Sequence, residues 1–143
     1  MKVAYNACFG GFGLSPLAEV LYAERKGIKL YGYTCLGAHG SPYTKVVDIR
    51  SFKGWADFYT EDYGDSIDAA TMPTLPNMYY QSSREDDDIR TDPDLIAIIE
   101  ELGEKEASGS CSRLSIIEIP DGSQFEIEEY DGKESVVPVR PCW

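Results

Sequence analysis

The opening of the chain constrains the fold most, because it alternates strand, glycine-rich loop, helix and strand within a short length. The apolar run Lys2–Cys8 predicts a buried strand, and the β-branched and aromatic run Ile28–Thr34 predicts a second one. Between them, Ser15 supplies a hydroxyl N-cap, Pro16 suits a first helical position, and Gly27 stands where a C-cap glycine belongs. This order predicts a βαβ-like unit, right-handed if its strands are parallel neighbours.

A second helix is predicted near residues 92–103. Asp92 suits the N-cap, Pro93 suits the first helical position, and Gly103 weakens or ends the helix. Its apolar residues recur with helical spacing and form a buried stripe. The stripe consists of Leu95, Ile96, Ile98, Ile99 and Leu102.

A β-hairpin is predicted after this helix. Residues 113–119 have strand character, residues 120–123 form a turn signal, and residues 124–130 alternate as an antiparallel partner should. Residues 131–132 are another turn signal, and residues 136–139 suit one more short strand. We therefore expect an α/β or α+β fold with one mixed sheet, a βαβ-like N-terminal unit and a C-terminal hairpin.

The middle of the chain gives no decisive pattern. Phe52, Trp55, Tyr59 and Tyr63 share one helical face, yet Gly54 and the aromatic content suit a strand nearly as well. The fold of residues 35–80 therefore stays open at the level of sequence.

Length and cysteine usage predict one domain, residues 1–143, working in a reducing cytosol. No apolar run reaches the roughly 20 residues of a membrane span, and the N-terminus lacks the apolar core of a signal peptide.

The four cysteines are widely spaced, which favours small buried thiols. A zinc site using Cys35 and His39 is the alternative, but structural zinc ligands usually come in close pairs. The cysteines are Cys8, Cys35, Cys111 and Cys142.

The net charge of −12, from 25 acidic and 13 basic residues, disfavours direct binding to nucleic acid or to an anionic membrane. Such a charge serves solubility in most acidic proteins. The sharper hypothesis is that it imitates nucleic acid and blocks a basic groove on another protein. The segments Glu85–Asp94 and Glu118–Glu134 would supply that acidic face.

The glycine-rich loop is the candidate ligand site. Its glycines let the backbone turn tightly and approach a ligand, and the N-terminus of the following helix favours an anion such as a phosphate. The alternative is a tight strand-to-helix turn with both phenylalanines buried beneath it, since the loop lacks the full dinucleotide and P-loop motifs. The predicted ligand-binding residues are Phe9, Gly10, Gly11, Phe12, Gly13 and Ser15.

Other chemistry is weakly signalled. Asp86, Asp87 and Asp88 would suit Mg²⁺ or Ca²⁺ only if the backbone wrapped around the ion, so a solvated loop is favoured and no metal or cofactor is expected. Arg84 and Arg90 are candidates for binding a ligand phosphate, although acidic residues flank both.

With one histidine and no catalytic motif, no catalytic residue can be assigned, and a non-enzyme is favoured. The ten tyrosines exceed what a small core needs, and some would stack on a base or line an interface, while half-buried strand positions account for most of them.

Several blocks at the two ends of the chain form a recognisable pattern: Met1–Phe12, Asp92–Leu95, Glu100–Gly103, Glu118–Gly122, Glu128–Gly132 and the terminal Trp143. With these blocks, both ends of the chain resemble a family of small, functionally unassigned bacteriophage proteins. The resemblance implies a phage gene product made in the bacterial cytosol, and it implies no activity or site.

We therefore expect a phage accessory protein that sequesters a small nucleotide-like host signalling molecule and so blunts host defence. Its site would lie at the interface of a homo-oligomer, where a small chain gains a deeper pocket. The first alternative is an acidic, nucleic-acid-mimicking inhibitor of a basic host protein. The second is a small nucleotide hydrolase, which would need a metal or paired acids.

Overall fold

The structure is a computed structural model that describes residues 1–35, 37–38, 40–52, 54–79 and 87–139, with the backbone alone at residues 87 and 88. The chain forms two compact units. We call Met1–Ala18 with Ser82–Trp143 the terminal unit and Glu19–Gln81 the central unit. That the chain is a single domain stays a prediction. Within the described ranges, no helix has the length and apolar content needed to cross a bilayer.

Helices and strands make up an α+β fold, as predicted. The helices are α1 (Pro16–Arg25), α2 (Pro93–Leu102) and α3 (Glu104–Ala107), with 3₁₀ turns at Met72–Thr74 and Asp87–Thr91. The strands are β1 (Lys2–Asn6), β2 (Tyr31–Thr34), β3 (Tyr43–Lys45), β4 (Asp57–Tyr59), β5 (Ser66–Ile67), β6 (Leu114–Glu118), β7 (Phe125–Tyr130) and β8 (Lys133–Pro138).

The terminal unit contains two antiparallel strand pairs. β1 pairs with β6, with Ala4 opposite Ile116, and β7 pairs with β8 as the C-terminal hairpin. The predicted pairing of residues 113–119 with residues 124–130 is wrong. β6, which lies in the first of these segments, pairs with β1 and not with β7. The hairpin turn is Asp131–Gly132, whose φ angles of 50° and 86° are the positive pair that a type I′ turn requires.

Helix α2 buries its predicted apolar face in the terminal unit, where it contacts β1 and β6. Leu95, Ile98 and Ile99 are 0–2% exposed. The Asp92 carboxylate accepts the backbone N–H of Asp94 at 2.9 Å, and the N–H of Gly103 donates to the carbonyl of Ile99. The predicted N-cap, proline start and terminal glycine are thus confirmed.

The central unit is built on an antiparallel four-stranded sheet in the order β4-β2-β3-β5. One cluster on this sheet is centred on Tyr33, Tyr59 and Met72, and another on Leu30 and Phe58. The undecided aromatic segment is therefore a strand at Asp57–Tyr59. The prediction of one mixed sheet is wrong: the strands on either side of α1 belong to different sheets, and every pairing among the described strands is antiparallel.

Candidate functional site

Asn6, the last residue of β1, joins the glycine-rich loop to the C-terminal hairpin. Its buried side-chain amide donates to the carbonyls of Cys8 at 2.6 Å and Gly132 at 2.8 Å. Its side-chain oxygen accepts the N–H of Arg113 at 2.9 Å. Because donors and acceptor are both used, a polar side chain is tolerated in this core and fixes the loop against the hairpin turn. Sequence analysis missed this role, and the available signal was a lone amide ending an apolar strand.

An ion pair lies beneath the loop. Arg90 donates to both carboxylate oxygens of Glu134, at 2.6 and 2.9 Å, and its guanidinium lies 3.8 Å from the centroid of the Phe12 ring. The same carboxylate accepts the backbone N–H of Asn6 at 2.9 Å. Arg90 is 1% exposed, so the hypothesis that it binds a ligand phosphate is wrong: its charge is already held by Glu134.

The glycines of the loop lie against the rest of the terminal unit at distances that exclude a side chain. A Cβ on Gly10 would lie 2.1 Å from the carbonyl oxygen of Cys111, and a Cβ on Gly132 would lie 2.4 Å from the nitrogen of Gly11. Gly10 also donates to the carbonyl of Asp131 at 3.3 Å. Close backbone approach therefore explains the glycines without a ligand.

The start of helix α1 is already capped. The Ser15 hydroxyl accepts the N–H of Ala18 at 3.1 Å, which confirms the predicted N-cap, and donates to the carbonyl of Glu106 at 2.6 Å. The N–H of Ser15 donates to the carbonyl of Ala107. Since these carbonyl oxygens lie at the helix N-terminus and would repel an anion, the helix start does not favour a phosphate as the sequence suggested.

A cavity of about 230 Å³ opens beside the loop, and it is lined by carboxylates. Gly10, Gly11 and Phe12 of the predicted site line it, whereas Gly13 and Ser15 are not among the described residues around it. The remaining lining is Glu129, Asp131, Gly132 and Glu134. Since Glu134 is compensated by Arg90, the exposed carboxylates of Glu129 and Asp131 set the local potential, which favours a cation over a phosphate.

An exposed aromatic pair completes the surface around the loop. Phe9 is 59% exposed and Tyr130 is 79% exposed, with their ring centroids 6.5 Å apart in an edge-to-face arrangement. The Lys133 ammonium lies 5.6 Å from the Phe9 ring centroid. The alternative in which both phenylalanines are buried is therefore half right: Phe12 is 3% exposed, but Phe9 faces solvent.

The remaining candidate groups are the cysteines, the single histidine, Arg84 and the acidic run of residues 86–88. Cys8 and Cys35 are partly exposed and Cys111 is exposed, so the expectation of buried thiols is wrong for these three. His39, Cys142, Arg84 and the carboxylates of residues 86–88 lie outside the described side chains. In the described part of the chain, no group of three potential metal ligands comes together.

No protein-family model, curated protein or solved structure matches this chain. The resemblance to phage proteins therefore stays a prediction.

Proposed function

We propose that this protein is a non-catalytic inhibitor that binds the basic groove of another protein through the acidic face of its terminal unit. The observation that carries this proposal is the distribution of charge. The terminal unit has 17 acidic and 7 basic residues, so it holds −10 of the net charge of −12. A charge this uneven steers a basic partner toward one part of the molecule.

The C-terminal hairpin presents this charge in an ordered way. Glu126 and Glu128 lie on one face of β7 and are exposed, whereas Phe125 and Ile127 lie on the other face and are partly buried. Glu129 lies on the same face as Phe125 and Ile127, and with Asp131 of the turn it lines the cavity beside the glycine-rich loop. The hairpin therefore carries exposed carboxylates on both faces of β7, where they would attract the cationic side chains of a basic groove.

The resemblance to phage proteins suggests the setting. We propose that the partner is a basic host protein in the bacterial cytosol, and that binding blunts a host defence. The inhibitor would compete with nucleic acid for the partner's groove, and it would itself bind neither nucleic acid nor membrane.

A pair of charge-matched variants tests the proposal. Glu126→Gln, Glu128→Gln and Glu129→Gln together remove three charges from the hairpin, and Glu24→Gln, Asp65→Asn and Asp68→Asn together remove three exposed charges from the central unit. We expect a partner captured from bacterial lysate to be released by salt and to bind the hairpin variant about tenfold more weakly, with the matched variant unchanged. The captured protein should also lose bound DNA or RNA when the inhibitor is added. Equal capture by both variants, or capture that salt does not weaken, would contradict the proposal.

A small nucleotide-like ligand remains the second candidate, and the exposed Phe9–Tyr130 pair favours it. Exposed aromatic rings stack on bases, and the pair lies beside the predicted loop. The carboxylates of Glu129 and Asp131 oppose it, because they would repel the phosphates. Calorimetry with cyclic and linear nucleotides decides: saturable heat that is lost in Phe9→Ala supports this function, and no heat with any nucleotide excludes it. Turnover of a bound nucleotide would instead indicate the hydrolase.

A further inference from the structure

A second, larger cavity lies entirely within the central unit. Its volume is about 570 Å³, which is within the usual range of small-molecule sites. Apolar and aromatic side chains form most of its wall, including Tyr43, Tyr59, Met72, Leu75 and Met78. This region gave no interpretable pattern at the level of sequence, because its residues come from two strands, a 3₁₀ turn and the segment that follows it.

One carboxylate, that of Asp57, lies in this apolar wall. Asp57 and Tyr59 are two residues apart on β4, so their side chains share one face of the strand, while Phe58 packs into the cluster on the other face. In the parts of the chain that the structure covers, the Asp57 carboxylate has no hydrogen bond or ion pair. Burial raises the pKa of this carboxyl above its usual value. A partly buried carboxylate without a partner among the described residues carries a desolvation cost that a bound cation would offset.

The nearby lysine of the sheet is engaged elsewhere. Lys45 binds the carboxylate of Asp62 at 2.5 Å and lies 5.6 Å from the Tyr31 ring centroid. Its charge is therefore committed to the Asp62 carboxylate and not to that of Asp57.

Aromatic side chains suit the same kind of ligand. Tyr43 packs edge-to-face on Trp55, with ring centroids 6.1 Å apart, and Tyr59 packs on Tyr33 and Tyr63. Aromatic rings bind alkylated ammonium ions through their quadrupoles and through contact with the alkyl groups. Methionine side chains at the wall adapt to irregular apolar shapes.

We propose that this cavity binds a small organic ammonium ion, with its cationic nitrogen beside Asp57 and its alkyl groups against Tyr43, Tyr59 and Met72. The site is independent of the acidic face on the terminal unit. The proposal of an ammonium site therefore does not depend on the proposed inhibitor function.

The test compares choline with 3,3-dimethylbutan-1-ol, which has the same shape without the charge. Both are titrated into the full chain and followed by NMR shifts of the central-unit residues. We expect saturable choline binding, with the neutral alcohol at least about tenfold weaker. Asp57→Asn should weaken choline binding about tenfold and leave alcohol binding unchanged.

Asp65→Asn is the matched control, because Asp65 is an exposed acid of the same unit that does not line the cavity. It should bind choline as the natural sequence does. Absence of saturable choline binding by the folded natural chain would overturn the proposal. Equal binding of choline and the alcohol, or equal losses in Asp57→Asn and Asp65→Asn, would overturn it too.

Discussion

The guanidinium of Arg90 and the carboxylate of Glu134 form two parallel hydrogen bonds although the side chains are only 1% and 6% exposed. Arg90 follows the acidic segment before α2, and Glu134 lies in the C-terminal hairpin, 44 residues later. Both also contact the N-terminal segment, through the carbonyl of Ala4, the N–H of Asn6 and the ring of Phe12. The pair therefore holds three distant segments of the terminal unit in one arrangement.

Breaking this pair from one side should destabilise the protein strongly. Arg90→Met or Glu134→Leu alone should lower the free energy of unfolding by about 3–5 kcal/mol, because each leaves an uncompensated charge in the core. The double variant should recover most of that loss, since no buried charge remains. Urea denaturation of the natural sequence, the two single variants and the double variant forms a double-mutant cycle. The cycle measures the coupling free energy between Arg90 and Glu134.

The exposed pair of Lys2 and Glu100 supplies the control for this cycle. Its ammonium and carboxylate lie 2.9 Å apart, but both side chains are nearly half exposed. Lys2→Met should leave the unfolding free energy unchanged within error, because water screens the pair. Strictly additive losses in the Arg90 and Glu134 variants would show that the buried pair does not act as a unit.

Gly132 is a glycine whose replacement should be poorly tolerated. A Cβ there would lie 2.4 Å from the nitrogen of Gly11 and 2.6 Å from that of Gly10, and φ is 86°. Gly122 has a similar φ of 78° but nothing within 4 Å of a Cβ, so it isolates the cost of φ alone. We expect Gly122→Ala to cost about 1 kcal/mol and Gly132→Ala about 3 kcal/mol in urea denaturation. Equal losses of unfolding free energy in Gly122→Ala and Gly132→Ala would contradict this prediction, because they would show that the loop can move away from the hairpin without an energetic cost.

Sequence alone predicted the elements whose signals are local. Asp92 with Pro93, and Ser15 with Pro16, start helices where the N-cap rule places them. The strands of the last third also lie close to the predicted segments. Such features depend on a few neighbouring residues, so no knowledge of the rest of the chain is needed.

Pairing between strands could not be predicted in the same way. The turn signals at residues 120–123 and 131–132 look alike in sequence, but only the second joins paired strands, while β6 pairs with β1, more than a hundred residues away. The residues of the candidate sites were likewise hard to predict, because most of their contacts are with residues far away in the sequence. The glycine-rich loop was found because glycine marks close backbone approach, but Asn6, Glu134 and Asp57 acquire their surroundings only through distant contacts.

Glu19, in the first turn of α1, should make stability depend on pH. Burial raises the pKa of its carboxyl from 4.5 to about 7. Between these values the folded state holds a proton that the unfolded state has lost, so stability falls as pH rises through this window and is level above it. The expected contribution is on the order of 2 kcal/mol, because the side chain keeps some contact with water.

Glu19→Gln should remove this contribution, since the amide carries no charge at any pH in the window. Its unfolding free energy should exceed that of the natural sequence at pH 8 and match it near pH 5. Glu24→Gln is the control, because Glu24 lies on the same helix but is exposed. Other carboxyls also titrate in this range. The measurement is therefore the difference in unfolding free energy between Glu19→Gln and Glu24→Gln, obtained by urea denaturation at each pH. If that difference is the same at pH 5 and pH 8, the Glu19 carboxyl ionises in the folded protein as it does in water, and its burial has no energetic effect.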